Sequence, residues 1–317
     1  MNRQILRLVS WRLASAVVTL LIVSFTIFLA TTLLPGDVAQ ILLGQAATPE
    51  AVAGLRKAMH LDDPAIFQFM KWLGGLASGD LGRSYANNMS VATLIGDRLA
   101  NTLKLAAATT AVAVPLALTL GITSAINRDT LYDRFISGAT IAIISVPEFL
   151  LATLAVLVFA VYLRWLPALS LVSDTQSFGG LLRIYALPVM TLTFGVSAQM
   201  IRMTRAAVIE TLNTPYVEMA MLKGASRRRK VLWHALPNAL GPIVNAIALS
   251  LSYLLGGVII VETIFSYPGV AKLMVDAVAT RDLPLIQSCA MIFCVGYLVL
   301  VTVADIIAIV SNPRLRT

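Results

Sequence analysis

The sequence predicts an all-α integral membrane protein of six transmembrane helices. Three observations predict it: hydrophobic residues make up 58% of the 317 and charged residues only 13%, the mean hydropathy is +0.84, and the apolar residues gather into separated blocks. Each block reaches the roughly 18 residues needed to bridge a bilayer core. A water-soluble globule needs more polar surface than this composition supplies. Helices are the only choice for such blocks, because lipid offers backbone amides no outside partner.

The first block runs from Leu13 to Leu34 behind Arg3, Arg7 and Arg12. Basic residues ahead of an apolar run also mark cleaved secretion signals, but this run of about 22 residues exceeds a signal's apolar core, and Leu33-Leu34-Pro35-Gly36-Asp37 is no small-residue cleavage site. An uncleaved first span is expected. Residues Pro35 to Thr102 are polar enough to fold in water yet few for an independent core, and read as a small helical extracytoplasmic segment. Thr48 before Pro49 and Glu50 is a helix start, with proline where its missing amide costs nothing, and Asp63 before Pro64 repeats the signal. Ile66, Phe69, Met70, Leu73 and Ala77 then recur at helical spacing as far as Gly79. An amphipathic piece from Ser90 leads into the second block, Leu103 to Ile126.

The third block spans Phe135 to Leu163, the fourth Tyr185 to Met203, the fifth Leu240 to Val261 and the sixth Leu285 to Val310. The expected organisation is residues 1–34 for the amino end and first helix, 35–102 for the outer segment and 103–317 for a five-helix core. Pro115, Pro147 and Pro188 fall inside blocks and predict kinks. Gly256 and Gly257, adjacent in the fifth block, permit a close helix crossing.

Lys and Arg accumulate on cytoplasmic loops. Here they sit at the amino end, at Arg128 and Arg134, in a cluster from Arg202 and Arg205 to Lys223, Arg227, Arg228, Arg229 and Lys230, and in the tail at Arg314 and Arg316. Six alternating spans put all four groups on one side, so both ends are expected in the cytoplasm. The net charge of +8 is therefore a matter of topology and lipid headgroups, not of nucleic acid. Cys289 and Cys294, five apart in the sixth block, offer neither a metal cage nor a disulfide, and no phosphate-cradling G-x-x-x-x-G-K-[ST] sequence occurs. His234 reads as a packing histidine, and His60 lies outside.

The most informative stretch is the inner loop at about 206–238. Tyr216 to Lys223 reads as a short helix, Gly224 as the left-handed residue that ends it, Ser226 as the cap of the next, and Pro237 as the break before the fifth span. Here the chain resembles the integral permeases of ATP-binding-cassette (ABC) importers, whose loop reads Glu-Ala-Ala, three residues, Gly, nine residues, Ile-x-Leu-Pro. Glu218, Ala220, Gly224, Leu236 and Pro237 fall in register, while Met219 replaces the middle alanine and His234 the isoleucine. Ala225, Arg227 and Arg228 lie within the same loop. Further phrases resemble the dipeptide, oligopeptide and nickel permeases: Gly79-Asp80-Leu81-Gly82, Glu262 to Gly269, Arg281-Asp282-Leu283-Pro284, and Asp305 with Asn312-Pro313-Arg314, where Asn312 departs from the usual Asp.

The resemblance implies a binding-protein-dependent type I ABC importer permease fold and a division of labour. A second homologous permease pairs with the chain, two ABC ATPase subunits bind ATP and Mg inside, and an extracytoplasmic binding protein delivers peptides or similar small solutes. The chain itself is then neither an enzyme nor a cofactor carrier. Arg227 to Lys230 read either as positive-inside charge near headgroups or as direct ATPase contacts. Glu148 follows Pro147 inside the third block, where a charge costs about 2.5 to 3.5 kcal/mol unless it meets water or a partner. It is a candidate for the translocation path, against a plain reading near an interface or protonated on a helix carbonyl. Two rival functions stand beside import: a proton-coupled secondary transporter using Glu148, though no matching half of the chain is visible, and a non-transporting assembly subunit.

Overall fold

A computed structural model of the protein describes residues 3–33, 35–171, 177–224, 226 and 229–311. Among them no strand forms beyond one isolated bridge between Arg83 and Ser90. The helices are α1 (Arg3–Thr32), α2 (Val38–Leu43), α3 (Pro49–Ala58), α4 (Ala65–Ser78), α5 (Val91–Ile126), α6 (Leu131–Ser145), α7 (Glu148–Ala155), α8 (Phe178–Leu212), α9 (Pro215–Leu222), α10 (Leu236–Ile264), α11 (Val270–Thr280) and α12 (Leu283–Ser311). Five of these described helices are long and apolar enough to cross a membrane, and the bent pair α6 and α7 makes a sixth crossing if it is counted as one span.

Three expectations are corrected. The third block is not one kinked helix: α6 and α7 with its π-helical continuation meet at 100°. Pro147 causes the break, because its ring pushes the preceding Val146 out of helical space to φ −95°, ψ 126°. Glu148 thus opens a helix and is not inside one. Second, α8 does not stop at Met203 but continues to Leu212, so Arg202 and Arg205 are helix residues and not loop residues; their charges hide a run of good helix formers from a hydropathy window. Third, α4 begins at Ala65 with Pro64 in the capping position and no side-chain cap, so Asp63 does not play the role that Thr48 does at α3, where its hydroxyl accepts from the Ala51 amide.

With 36 residues, α5 is about 54 Å long at 1.5 Å per residue. That exceeds a hydrocarbon core of about 30 Å, so its amphipathic beginning belongs outside the lipid.

The contacts divide the chain into two units, one from residues 15–103 and 268–296, the other from 104–267 with 1–14 and 297–317. In the first, Asp282 organises the turn before α5: it accepts from Ser84 Oγ, from the Tyr85 amide at 3.0 Å and from the Ala86 amide at 3.5 Å. Burial, and then the Asp282 charge, push the Tyr85 phenol above its ordinary pKa. Asn101 Nδ2 donates to the Pro268 carbonyl, and Thr102 Oγ1 accepts from the Val270 amide. An aromatic group of Phe25, Phe28, Phe69 and Trp72 fastens α4 to α1. Asp37 caps α2 and pairs with Arg56 at 2.5 Å; burial alone would raise its carboxyl, but the Arg56 hydrogen bond and the Ala39 and Gln40 amides hold it below the ordinary value.

In the second unit, Arg12 of α1 and Asp305 of α12 pair at 3.0 Å, so the start of the first span and the end of the last stand at one level. Ser170 is held by the Phe265 and Ile184 backbones, and the Tyr185 and Tyr267 hydroxyls meet at 2.8 Å.

Candidate functional site

The loop singled out by sequence folds as a helical elbow between α8 and α10. Thr214 opens α9: its carbonyl accepts from the Val217 and Glu218 amides. Gly224 ends the elbow's first arm at φ +84°, a conformation that costs a β-branched residue roughly 1 to 2 kcal/mol. Ser226 Oγ accepts from the Arg229 amide at 3.4 Å, as its capping role requires. Ala225, Arg227 and Arg228 lie outside the described residues.

The second arm corrects the expectation for Pro237. Instead of breaking the helix, it sits in the first turn of α10, preceded by a π-helical turn over Lys230–Ala235. A proline ring clashes with the carbonyl four residues back; here the Leu236 amide bonds five back, to Val231, and the wider turn makes room.

The arms are joined by burial. Val217 and Val231 are fully buried, the latter with Ala125, Val208, Ala239 and Ile243 in one apolar cluster. Burying a valine contributes about 1.5 to 3 kcal/mol, so the elbow is clamped to the ends of α5, α8 and α10. Tyr216 Oη donates to the His234 carbonyl at 3.4 Å and Asn238 Nδ2 to the same oxygen at 3.0 Å. Glu218, Met219 and Leu222 are exposed on α9, Ala220 and Leu236 are half-buried, and Pro237 is exposed. Two large apolar side chains left open beside a carboxylate form a surface suited to a protein groove.

A second feature was missed by sequence. Asp133 of α6, only 3% exposed, takes a bidentate pair from Arg205 of α8, Nε to Oδ1 and Nη2 to Oδ2 at 2.7 Å each. Ser124 Oγ of α5 and the Asp129 amide complete the carboxylate's partners. Three helices are thus tied together just before the elbow. The signal was available only in part: Arg205 stood out as a charge, but nothing local links it to a residue 72 positions earlier. Beside this clamp Gly121 admits Thr204, whose Cβ would lie 2.8 Å from a Cβ built on the glycine.

Glu148 reaches back from the break onto two glycines. A Cβ at Gly195 would lie 3.0 Å from its Oε1, and one at Gly257 2.8 Å from its Oε2. Of the adjacent glycines in α10, Gly257 therefore serves a close approach, while Gly256 faces open space. The carboxylate borders a cavity of about 320 Å³ with Gln199, Ser250 and Tyr253. No ion pair forms to it among the described residues.

Two families match the chain. Residues 117–317 match the family described as binding-protein-dependent transport system inner membrane component, and residues 5–106 match the family describing its N-terminal part. A Brucella abortus (strain 2308) protein named as permease of a peptide transport system is 34% identical over 305 residues, covering 96% of this chain and 97% of the relative. The glutathione transport system permease protein GsiC of Escherichia coli is 35% identical over 305 residues, with the same coverage.

Proposed function

Because the chain belongs to the family of binding-protein-dependent transport system inner membrane components and is a permease subunit of an ABC importer, we propose that its solutes are short peptides and that the α9 elbow is where partner ATPases drive it. It is an integral inner-membrane protein and a non-enzymatic part of its transport system. On our reading ATP and Mg belong to two ABC ATPase subunits, a second homologous permease completes the pathway, and an extracytoplasmic binding protein delivers solute. Both ends then face the cytoplasm, as does the stretch from 206 to 238 that holds the elbow, with Glu218, Met219, Ala220, Gly224, Leu236, Pro237 and, outside the described residues, Ala225, Arg227 and Arg228. The relatives' names, peptide and glutathione, support the solute class.

The observation that carries the coupling role is the elbow's construction: Met219 and Leu222 stand open while Val217 is buried and Val231 packs the same elbow against the spans. A force applied to the open face is passed to α8 and α10. Only contacts that differ between open and closed ATPases bias the spans, and a rigid lever is what transmits such a difference. Glu148 lines the solute path on this reading, held at the break between α6 and α7 beside the cavity it borders.

Gly224→Val tests the lever. Strain of about 1 to 2 kcal/mol at this left-handed position is expected to deform the elbow, leaving insertion intact but lowering solute uptake per ATP hydrolysed in proteoliposomes of the assembled importer. Unchanged coupling in that variant argues against the elbow.

A further inference from the structure

Gln199 borders the Glu148 cavity. That glutamine also borders a second cavity of about 360 Å³, whose wall includes Ser137, Arg202 and Arg205. Arg205 is taken up by Asp133. Arg202 is exposed and has no carboxylate partner among the described residues. Gly195, Gln199 and Arg202 follow at helical spacing on one face of α8, so this face runs from an acidic end, through an amide that both donates and accepts, to a basic end.

Its length is informative. From Gly195, where Glu148 rests, to Arg202 the helix rises about 10 Å, and the arginine stem leans back toward the amino end, which sets the charges about 5 to 10 Å apart. An extended chain advances about 3.3 to 3.6 Å per residue, so the spacing fits the two ends of a dipeptide or tripeptide. The nickel named by the family resemblance fits worse, because a bare metal cation is repelled by Arg202. A separate observation also points to a ligand. Ser250, 1% exposed in the wall of the Glu148 cavity, has a hydroxyl without a hydrogen-bond partner among the described residues, and a buried polar group left unmet costs free energy that a polar ligand relieves.

We propose that this face of α8 is a dipolar subsite that takes the protonated amine of a short peptide at Glu148 and its carboxylate at Arg202. The subsite rests on the reading of Glu148 as lining the path, and extends it to the chemistry of both solute ends.

The test uses the assembled importer in nanodiscs without its binding protein, so that only the membrane part selects. Binding of triglycine, N-acetyl-triglycine and triglycine amide is followed by saturation-transfer NMR. In the unaltered protein, blocking either end is expected to weaken binding about tenfold, the loss of one charge-assisted hydrogen bond. Glu148→Gln removes the penalty for acetylation alone, and Arg202→Gln removes the penalty for amidation alone; copurification with the ATPases reports that each variant is folded. Equal binding of the three peptides, penalties unchanged in both variants, or no binding of triglycine overturns the subsite. The path reading fails separately: with Cys289 and Cys294 replaced by serine, peptide uptake that survives a bulky maleimide on Gln199→Cys overturns that reading and the subsite with it, whereas uptake blocked there, with no discrimination between peptide ends, overturns the subsite alone.

Discussion

Replacing Arg205 with alanine is expected to destabilise the folded permease by about 3 kcal/mol, the lower end for breaking a buried ion pair by removing one partner. The lower end applies because the Asp133 carboxylate keeps Ser124 Oγ and the Asp129 amide. The guanidinium holds both carboxylate oxygens at 2.7 Å, and its loss leaves a charge that is 3% exposed without its counter-charge. Thermal unfolding in detergent, read by intrinsic fluorescence, measures the change. A second variant separates lost packing from stranded charge. Adding Asp133→Asn to Arg205→Ala removes the uncompensated charge, so the double variant is expected to be more stable than Arg205→Ala alone, a coupling of the kind a double-mutant cycle isolates. A double variant that melts lower than the single one contradicts this account of the clamp.

Gly121→Leu is expected to separate α5 from α8 and abolish a well-folded product. A Cβ there already meets Thr204 Cβ at 2.8 Å and the Ile201 carbonyl oxygen at 3.0 Å. Neither neighbour is the far end of a flexible side chain, so even Gly121→Ala forces backbone to shift, at about 1 to 3 kcal/mol. Gly138 of α6 offers the control. A Cβ there meets nothing within 4 Å, and alanine suits a helix interior better than glycine by up to about 1 kcal/mol. Gly138→Ala should therefore leave the melting temperature equal or higher while Gly121→Ala lowers it. Equal effects at both sites would mean that the glycine at the crossing is dispensable.

How much of this was legible in the sequence depends on the range of the interaction that decides each feature. Apolar block length is local and governed by the bilayer, and it places the crossings. Gly224 and Ser226 obey rules of a few residues, and both are where those rules put them. Pro147 shows the limit: its position is plain, but whether a proline kinks a helix or breaks it by 100° depends on what satisfies the freed backbone groups. Pro237 erred in the opposite direction, because a π-helical turn absorbs it.

Features made by distant pairs left no local trace. The meeting of Asp282 with residues 84–86 joins one phrase that the sequence showed only as a resemblance to the turn just after another. Arg12 and Asp305 were visible separately, as a topology charge and a family residue. The clamp at Asp133 and the glycine beds under Glu148 need helices placed side by side before they exist at all. Met219 illustrates a subtler gain: as a departure from the family's alanine it weakened the pattern, whereas on the folded elbow it enlarges the exposed apolar face.

Everything proposed for coupling requires the α9 elbow to stand in the cytoplasm under a partner ATPase. The direct measurement places a cysteine at Glu218 in a chain whose Cys289 and Cys294 are serine, and labels it with a membrane-impermeant maleimide. Labelling in inside-out vesicles, reduced when the ATPase subunits are bound and absent in intact cells, is the predicted result. Labelling from the outside of intact cells contradicts it.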